Sequence, residues 1–189
     1  MTTNTIDTKD FFASLDKTTT ELLQLISSTD SKIINTVPSA SYLVKDSWTA
    51  AQLVTHVTKS NKAIAQALDM EGETAERNPG ERVKELRAMF LNFNTKFQSP
   101  EFLRPKRENY LKETLVADLK KSIDHLMETG GTINLSEIIS LPAFGEITKL
   151  ELLYFVLYHT QRHIHQLKNI LQELHTSFVS NRQNPGLII

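Results

Sequence analysis

Apolar residues recur every three or four positions along five separate stretches of this chain, and glycine and proline gather mainly between those stretches. This is the period of an amphipathic helix. A helix satisfies its own backbone, so the open question becomes how the helices share a core.

The first stretch covers residues 8–28, with Phe11, Leu15, Leu22, Leu25 and Ile26 near one face. The second opens at Thr49, where Thr49 and Gln52 form a T-x-x-Q capping box ahead of Leu53, Val57, Ile64 and Leu68. The third is marked by Asn78 as a cap, Pro79 at the first helical position and Glu81 as a capping partner. Its seam, Val83, Leu86, Phe90, Phe93 and Phe97, predicts a helix reaching Phe97. The fourth spans about Tyr110 to Thr129, carries Leu111, Leu115, Leu119, Ile123 and Leu126, and is expected to stop at Gly130 and Gly131. The fifth is capped by Thr148 and Glu151 and runs to about His175, about 40 Å at 1.5 Å per residue. No clear strand pattern appears, and residues 132–139 fit either strand or loop. These segments predict an all-α, single-domain chain over residues 1–189: a four-helix bundle with an additional short helix or loop elements. The expected core is about residues 7–174, followed by a loosely organised tail over 177–189.

Composition excludes several classes. The chain has no cysteine, which removes disulfides, thiolate metal ligands and a cysteine nucleophile. Any metal site must use His, Asp, Glu or water. Lys and Arg number 21 against 22 Asp and Glu, so neither nucleic acid nor an anionic membrane is expected as a partner. The N-terminus, MTTNTIDTKD, lacks a basic-then-apolar signal pattern. The longest apolar run, residues 152–158, falls far short of the roughly 20 residues of a membrane span. A soluble, cytoplasmic protein is the expectation.

Three of the six histidines fall in YFVLYHTQRHIHQL, residues 154–167. Successive helical residues turn by about 100°, which separates them. His159 lies about 40° from His163, on the stripe that holds Leu152, Val156, Leu167, Ile170 and Leu174. His165 lies roughly 160° away, with the polar residues. Two inward histidines at i and i+4 can chelate one ion, although core histidines also meet at this spacing. His56 is the best third candidate, at the edge of its stripe with the small neighbours Ser60, Ala63 and Ala67. Taken alone it reads better as a wet boundary residue. His125 and His175 read as surface residues. Gln166, at the edge of the inward stripe, and Arg162, further out, are candidates to orient a ligand. Gln166 could equally hold His159 or His163 from behind.

The segments WTAAQLVTHV (48–57) and LPAFGEITKLELLYFVLYHTQRHIHQL (141–167) resemble two motifs of the DinB-like superfamily, the DinB/YfiT-like metalloenzymes. The first is similar to a Trp-Ser/Thr…His segment, the second to a Pro-x-x-Gly turn followed by a His-x-x-x-His helix. The resemblance spans roughly residues 7–174. It implies an up-down-down-up four-helix bundle, often a homodimer, with a divalent metal held by His56, His159 and His163. Zinc or nickel suits such ligands first, then iron, cobalt or manganese. Relatives include bacillithiol S-transferases and mycothiol-dependent maleylpyruvate isomerases. The implied function is therefore a metal-dependent transferase, using a low-molecular-weight thiol, or a hydrolase, acting on a small molecule. With no cysteine in the chain, a thiolate would come from the cosubstrate. Some relatives carry a further histidine where this chain has Leu141, so their substrate contacts do not transfer. The alternative is a non-enzymatic bundle that binds a ligand or protein partner, its histidine site structural or empty.

Overall fold

The computed structural model describes residues 8–38 and 47–183. Among the described residues there are five α-helices: α1 (Thr8–Ser28), α2 (Ala50–Leu68), α3 (Val83–Phe90), α4 (Lys112–Thr132) and α5 (Lys149–Gln183). Four of them form the bundle. α1 packs on α4 and α5, and α2 packs on the same two.

Their directions follow from which residues meet. The ring of Phe11 lies 4.5 Å from that of Tyr154, and Glu21 pairs with Lys168 at 2.7 Å, so α1 and α5 run parallel. Lys112 donates to the Thr29 carbonyl at 2.6 Å while Phe12 lies beside Gly130, so α4 runs against α1. Leu53, Val54 and Val57 share one apolar cluster with Leu115, Leu119, Ile164 and Leu167. Ile64 and Leu68 share the other with Leu126, Leu152 and Leu153. α2 is therefore parallel to α4 and antiparallel to α5, and the bundle runs up-down-down-up.

Between the two clusters the interior turns polar. At this level Thr19, Asn61, Ser122 and Thr160, one from each bundle helix, place a small buried hydroxyl or amide. Ser122 donates its single hydroxyl proton to the Leu119 carbonyl at 2.7 Å and accepts from Asn61 Nδ2 at 3.3 Å. Asn61 Oδ1 and Thr160 Oγ1 have no protein partner.

A small antiparallel sheet closes one end of the helical bundle, an element that the sequence pattern leaves unannounced apart from residues 132–139, read as strand or loop. β1 (Glu73–Thr74), β2 (Glu137–Leu141) and β3 (Gly145–Thr148) lie in that order, with Ile139 opposite Ile147 and Leu141 opposite Gly145. Only Ile139 and Ile147–Thr148 are buried in the hairpin, too few for a visible two-residue alternation. The turn residue Gly145 has φ +65°, a conformation open to glycine without a Cβ penalty.

Further corrections concern the helix ends. α3 stops at Phe90 and not at Phe97, because Arg162 takes the carbonyls of Phe90 and Asn92 that a continuing helix would need as acceptors. Asn78 Oδ1 accepts from the amide of Gly80 in a local turn and does not cap α3, which starts at Val83. Gly130 and Gly131 lie inside α4; a Cβ at Gly130 would sit 3.1 Å from Leu153, so glycine lets that helix approach α5 closely. α5 is helical to Gln183, which corrects the loose tail over 177–183; residues 184–189 lie outside the described residues. No helix among the described residues is long and apolar enough to cross a membrane.

Two of the three inferred capping boxes form. At α2, Gln52 N donates to Thr49 Oγ1 (3.1 Å) and Thr49 N to Gln52 Oε1 (3.0 Å). At α5, Glu151 N donates to Thr148 Oγ1 (3.1 Å) and Thr148 N to Glu151 Oε2 (3.0 Å). Glu151 does more than cap. Its side chain is fully buried, and Arg77 clamps both oxygens at 2.6 Å while Arg82 N donates at 2.8 Å. Burial alone would raise its pKa, but the Arg77 guanidinium and the amides of Thr148 and Arg82 outweigh it and hold the carboxyl ionised, below its ordinary value. Arg82 in turn donates to the carbonyls of Phe144 (3.1 Å) and Glu146 (2.9 Å). One carboxylate thus fastens the α2–α3 connection and the hairpin to the start of α5.

Glu151→Ala is expected to cost about 3 kcal/mol, the lower end for a broken buried pair because Arg77 can regain water. Glu151→Gln, which keeps a capping acceptor, should cost clearly less. Urea unfolding of both variants checks the ranking, and equal losses would show that the charge contributes nothing.

Candidate metal centre

α5 enters the bundle from its Glu151 cap and carries His159 and His163 inward one turn apart. α2 runs against it and brings His56 to the same level. All three are buried, at 4% (His56), 8% (His159) and 6% (His163) exposure. His165, His125 and His175 are exposed, as their helical positions predicted.

The rings meet through one kind of atom. His159 Nε2 lies 3.3 Å from His56 Nε2 and 3.0 Å from His163 Nε2. The three form a potential metal-ligating cluster with no carboxylate among them. Nitrogens bound to one ion at roughly 2.0–2.1 Å lie roughly 3–3.4 Å apart, so the spacing fits a divalent ion on three imidazoles. The outer nitrogen of His56 supports this. His56 Nδ1 lies 3.2 Å from the Leu103 carbonyl and 3.3 Å from Ser99 Oγ. A carbonyl only accepts, so Nδ1 carries the proton and Nε2 presents its lone pair.

Apolar surroundings keep the rings neutral. Phe155 and Phe90 flank His159 at 5.0 and 6.2 Å between ring centres, and Trp48 lies 5.0 Å from His56. Desolvation is the main cause that lowers the pKa of all three: His56 below its ordinary value, His159 well below it, and His163 to about 3. The full charges that act on them are cationic, Lys59 on His56 and Arg162 on His159 and His163.

Gln166 is near enough to His163 to favour its protonated form, but no hydrogen bond of ordinary geometry joins them and His163 Nδ1 has no protein partner. Gln166 is therefore an adjacent acceptor and not a fixed one. Arg162, further from the inward direction than Gln166, is buried at 5% exposure, and its donors are taken up by the carbonyls of Phe90 (3.1 Å), Asn92 (3.0 Å) and Thr95. Its guanidinium also covers the Phe97 ring at 4.8 Å. Sequence reasoning missed Ser99 and the main chain at Leu103. One signal pointed there: Gln52, His56 and Lys59 lie at i, i+4 and i+7 on α2, a polar stripe on a largely buried helix.

With the geometry described, comparison with known proteins places the chain. The DinB superfamily model matches residues 14–167, and the protein belongs to that superfamily. Among solved structures, YfiT from Bacillus subtilis has the same fold, with a TM-score of 0.55, 13% identity and 93% of each chain covered. YfiT is described as a probable metal-dependent hydrolase with an unusual four-helix bundle topology. No curated protein matches the sequence.

The depressed histidines set a pH dependence. Around pH 6.5 and below, the unfolded chain protonates each ring while the folded chain does not, so the unfolded state binds more protons and stability falls with pH. For His163 the window runs from 6.5 down to about 3. Chelator-treated protein is expected to lose on the order of 1.4 kcal/mol per pH unit for each fully depressed ring between about pH 6 and pH 5. Denaturant midpoints across that range measure the slope, and His163→Gln should reduce it; a flat wild-type profile would contradict the burial of neutral rings.

Proposed function

We propose that the protein is a metal-dependent enzyme acting on a small molecule, with a divalent ion held by Nε2 of His56, His159 and His163. The observation that carries the reading is the convergence of three neutral, buried Nε2 atoms without a carboxylate. Neutral ligands leave such an ion its full charge, and the chemistry it supplies is acidification of a coordinated water or thiol. Lys59 and Arg162 add positive potential beside the rings, which favours an anionic nucleophile or substrate group there. Phe90 and Phe155 exclude water from the His159 side and offer an apolar wall to a substrate.

Two reactions fit this set. Transfer of a low-molecular-weight thiol to an electrophile is supported by nitrogen ligands that would leave an ion able to bind a thiol as thiolate; with no cysteine in the chain, that thiolate would come from the cosubstrate. Hydrolysis is supported by the likeness to YfiT. A cytoplasmic homodimer belongs to the same proposal.

Untagged wild-type protein is expected to bind one equivalent of zinc or cobalt, and the His56→Ala/His159→Ala double variant to bind more than about 100-fold more weakly. Equal, negligible binding by both would sink the enzyme reading. With metal bound, paired assays of low-molecular-weight thiols plus an alkylating electrophile, and of small esters and amides, separate transfer from hydrolysis.

A further inference from the structure

The connection between α3 and α4, residues 91–111, contains only one 3₁₀ turn, Glu101–Leu103, so much of its backbone must find partners elsewhere. Asn35 holds Tyr110 at both its amide and its carbonyl, while over residues 90–106 the partners are side chains from the two helices that carry the histidines. Arg162 of α5 takes the carbonyls of Phe90, Asn92 and Thr95. Along α2, Gln52 Nε2 donates to the Lys106 carbonyl at 3.1 Å, and Lys59 Nζ to those of Phe102 and Arg104 at 3.2 and 2.7 Å. Between Gln52 and Lys59, on the same stripe, His56 Nδ1 meets the Leu103 carbonyl.

His56 therefore belongs to two structures at once. One ring nitrogen is bound to the connection and the other faces His159. Docking of the Leu103 carbonyl places the proton on Nδ1, and only that tautomer presents a lone pair at Nε2. We propose that residues 91–106 form a strap whose docking presets His56 for metal binding, and that Lys59 acts on the centre as a positioning residue through this strap. Arg162 fastens the other end. By reciprocity, an ion bound at the histidines would hold the strap down as strongly as the strap favours the ion. The metal half of this inference rests on the proposed centre; the tautomer half does not.

Lys59 gives a test whose outcomes differ in sign. Removing a positive charge near a cation site should tighten metal binding if Lys59 acts only through its field. If it acts through the strap, binding should weaken. We expect Lys59→Met to bind cobalt and zinc about 10-fold more weakly, and Lys59→Arg to recover most of the loss. Lys59 is only partly buried, so both variants should fold. Unchanged or tighter binding by Lys59→Met overturns the inference.

A second measurement needs no metal. Imidazole nitrogen-15 spectra of the chelator-treated wild type should show His56 protonated at Nδ1, and Lys59→Met should lose that preference. An Nε2-protonated His56 in the wild type overturns the strap model outright. If the Nδ1 tautomer is found but no metal binds, the metal reading fails while the control of His56 by the strap stands.

Discussion

A buried carboxylate at the start of one helix sets the geometry that everything else uses. Glu151 has no access to water, so its charge must be met by Arg77 and by main-chain amides. Those partners come from the α2–α3 connection and from the end of the hairpin. Satisfying one charge therefore docks two irregular pieces of chain and sets where α5 begins. The two inward histidines follow at fixed distances along the same rigid helix. Lys149, paired at 2.6 Å with Glu137 of β2, reinforces the anchor from the sheet side.

The centre itself shows how a bundle can keep a polar group ready inside an apolar medium. Three imidazoles are among the few side chains that remain neutral and still present a strong lone pair. Burial that would be ruinous for carboxylates suits them, because it suppresses the charged form. Carboxylate ligands would neutralise a bound cation, whereas three neutral imidazoles would leave its charge uncancelled.

Features that depend on neighbours in the chain were legible in the sequence. Thr49–Gln52 and Thr148–Glu151 are reciprocal bonds across three residues. The inward pair His159/His163 and the outward His165 follow from rotation along one helix. What was hidden depends on distant partners. Phe93 and Phe97 continue the three-four spacing of α3, yet Phe93 stacks on His165 at 4.1 Å and Phe97 on Phe90 at 5.3 Å, outside any helix. The strap is held by side chains that reach far-off carbonyls, and a carbonyl leaves no mark on residue identity. The partners of Arg162 are hidden for the same reason: its position on the helix says where it starts, not what its long side chain reaches.

The polar level formed by Thr19, Asn61, Ser122 and Thr160 divides the interior into two apolar halves. There apolar contact gives way to hydroxyls and an amide, with Asn61 to Ser122 as a hydrogen bond between helices. His159 and His163 flank Thr160 in the chain, so the imidazoles stand beside this polar level. An ion shared between α2 and α5 there would act as a rivet between two helices, making mechanical integrity and chemical readiness properties of the same few atoms.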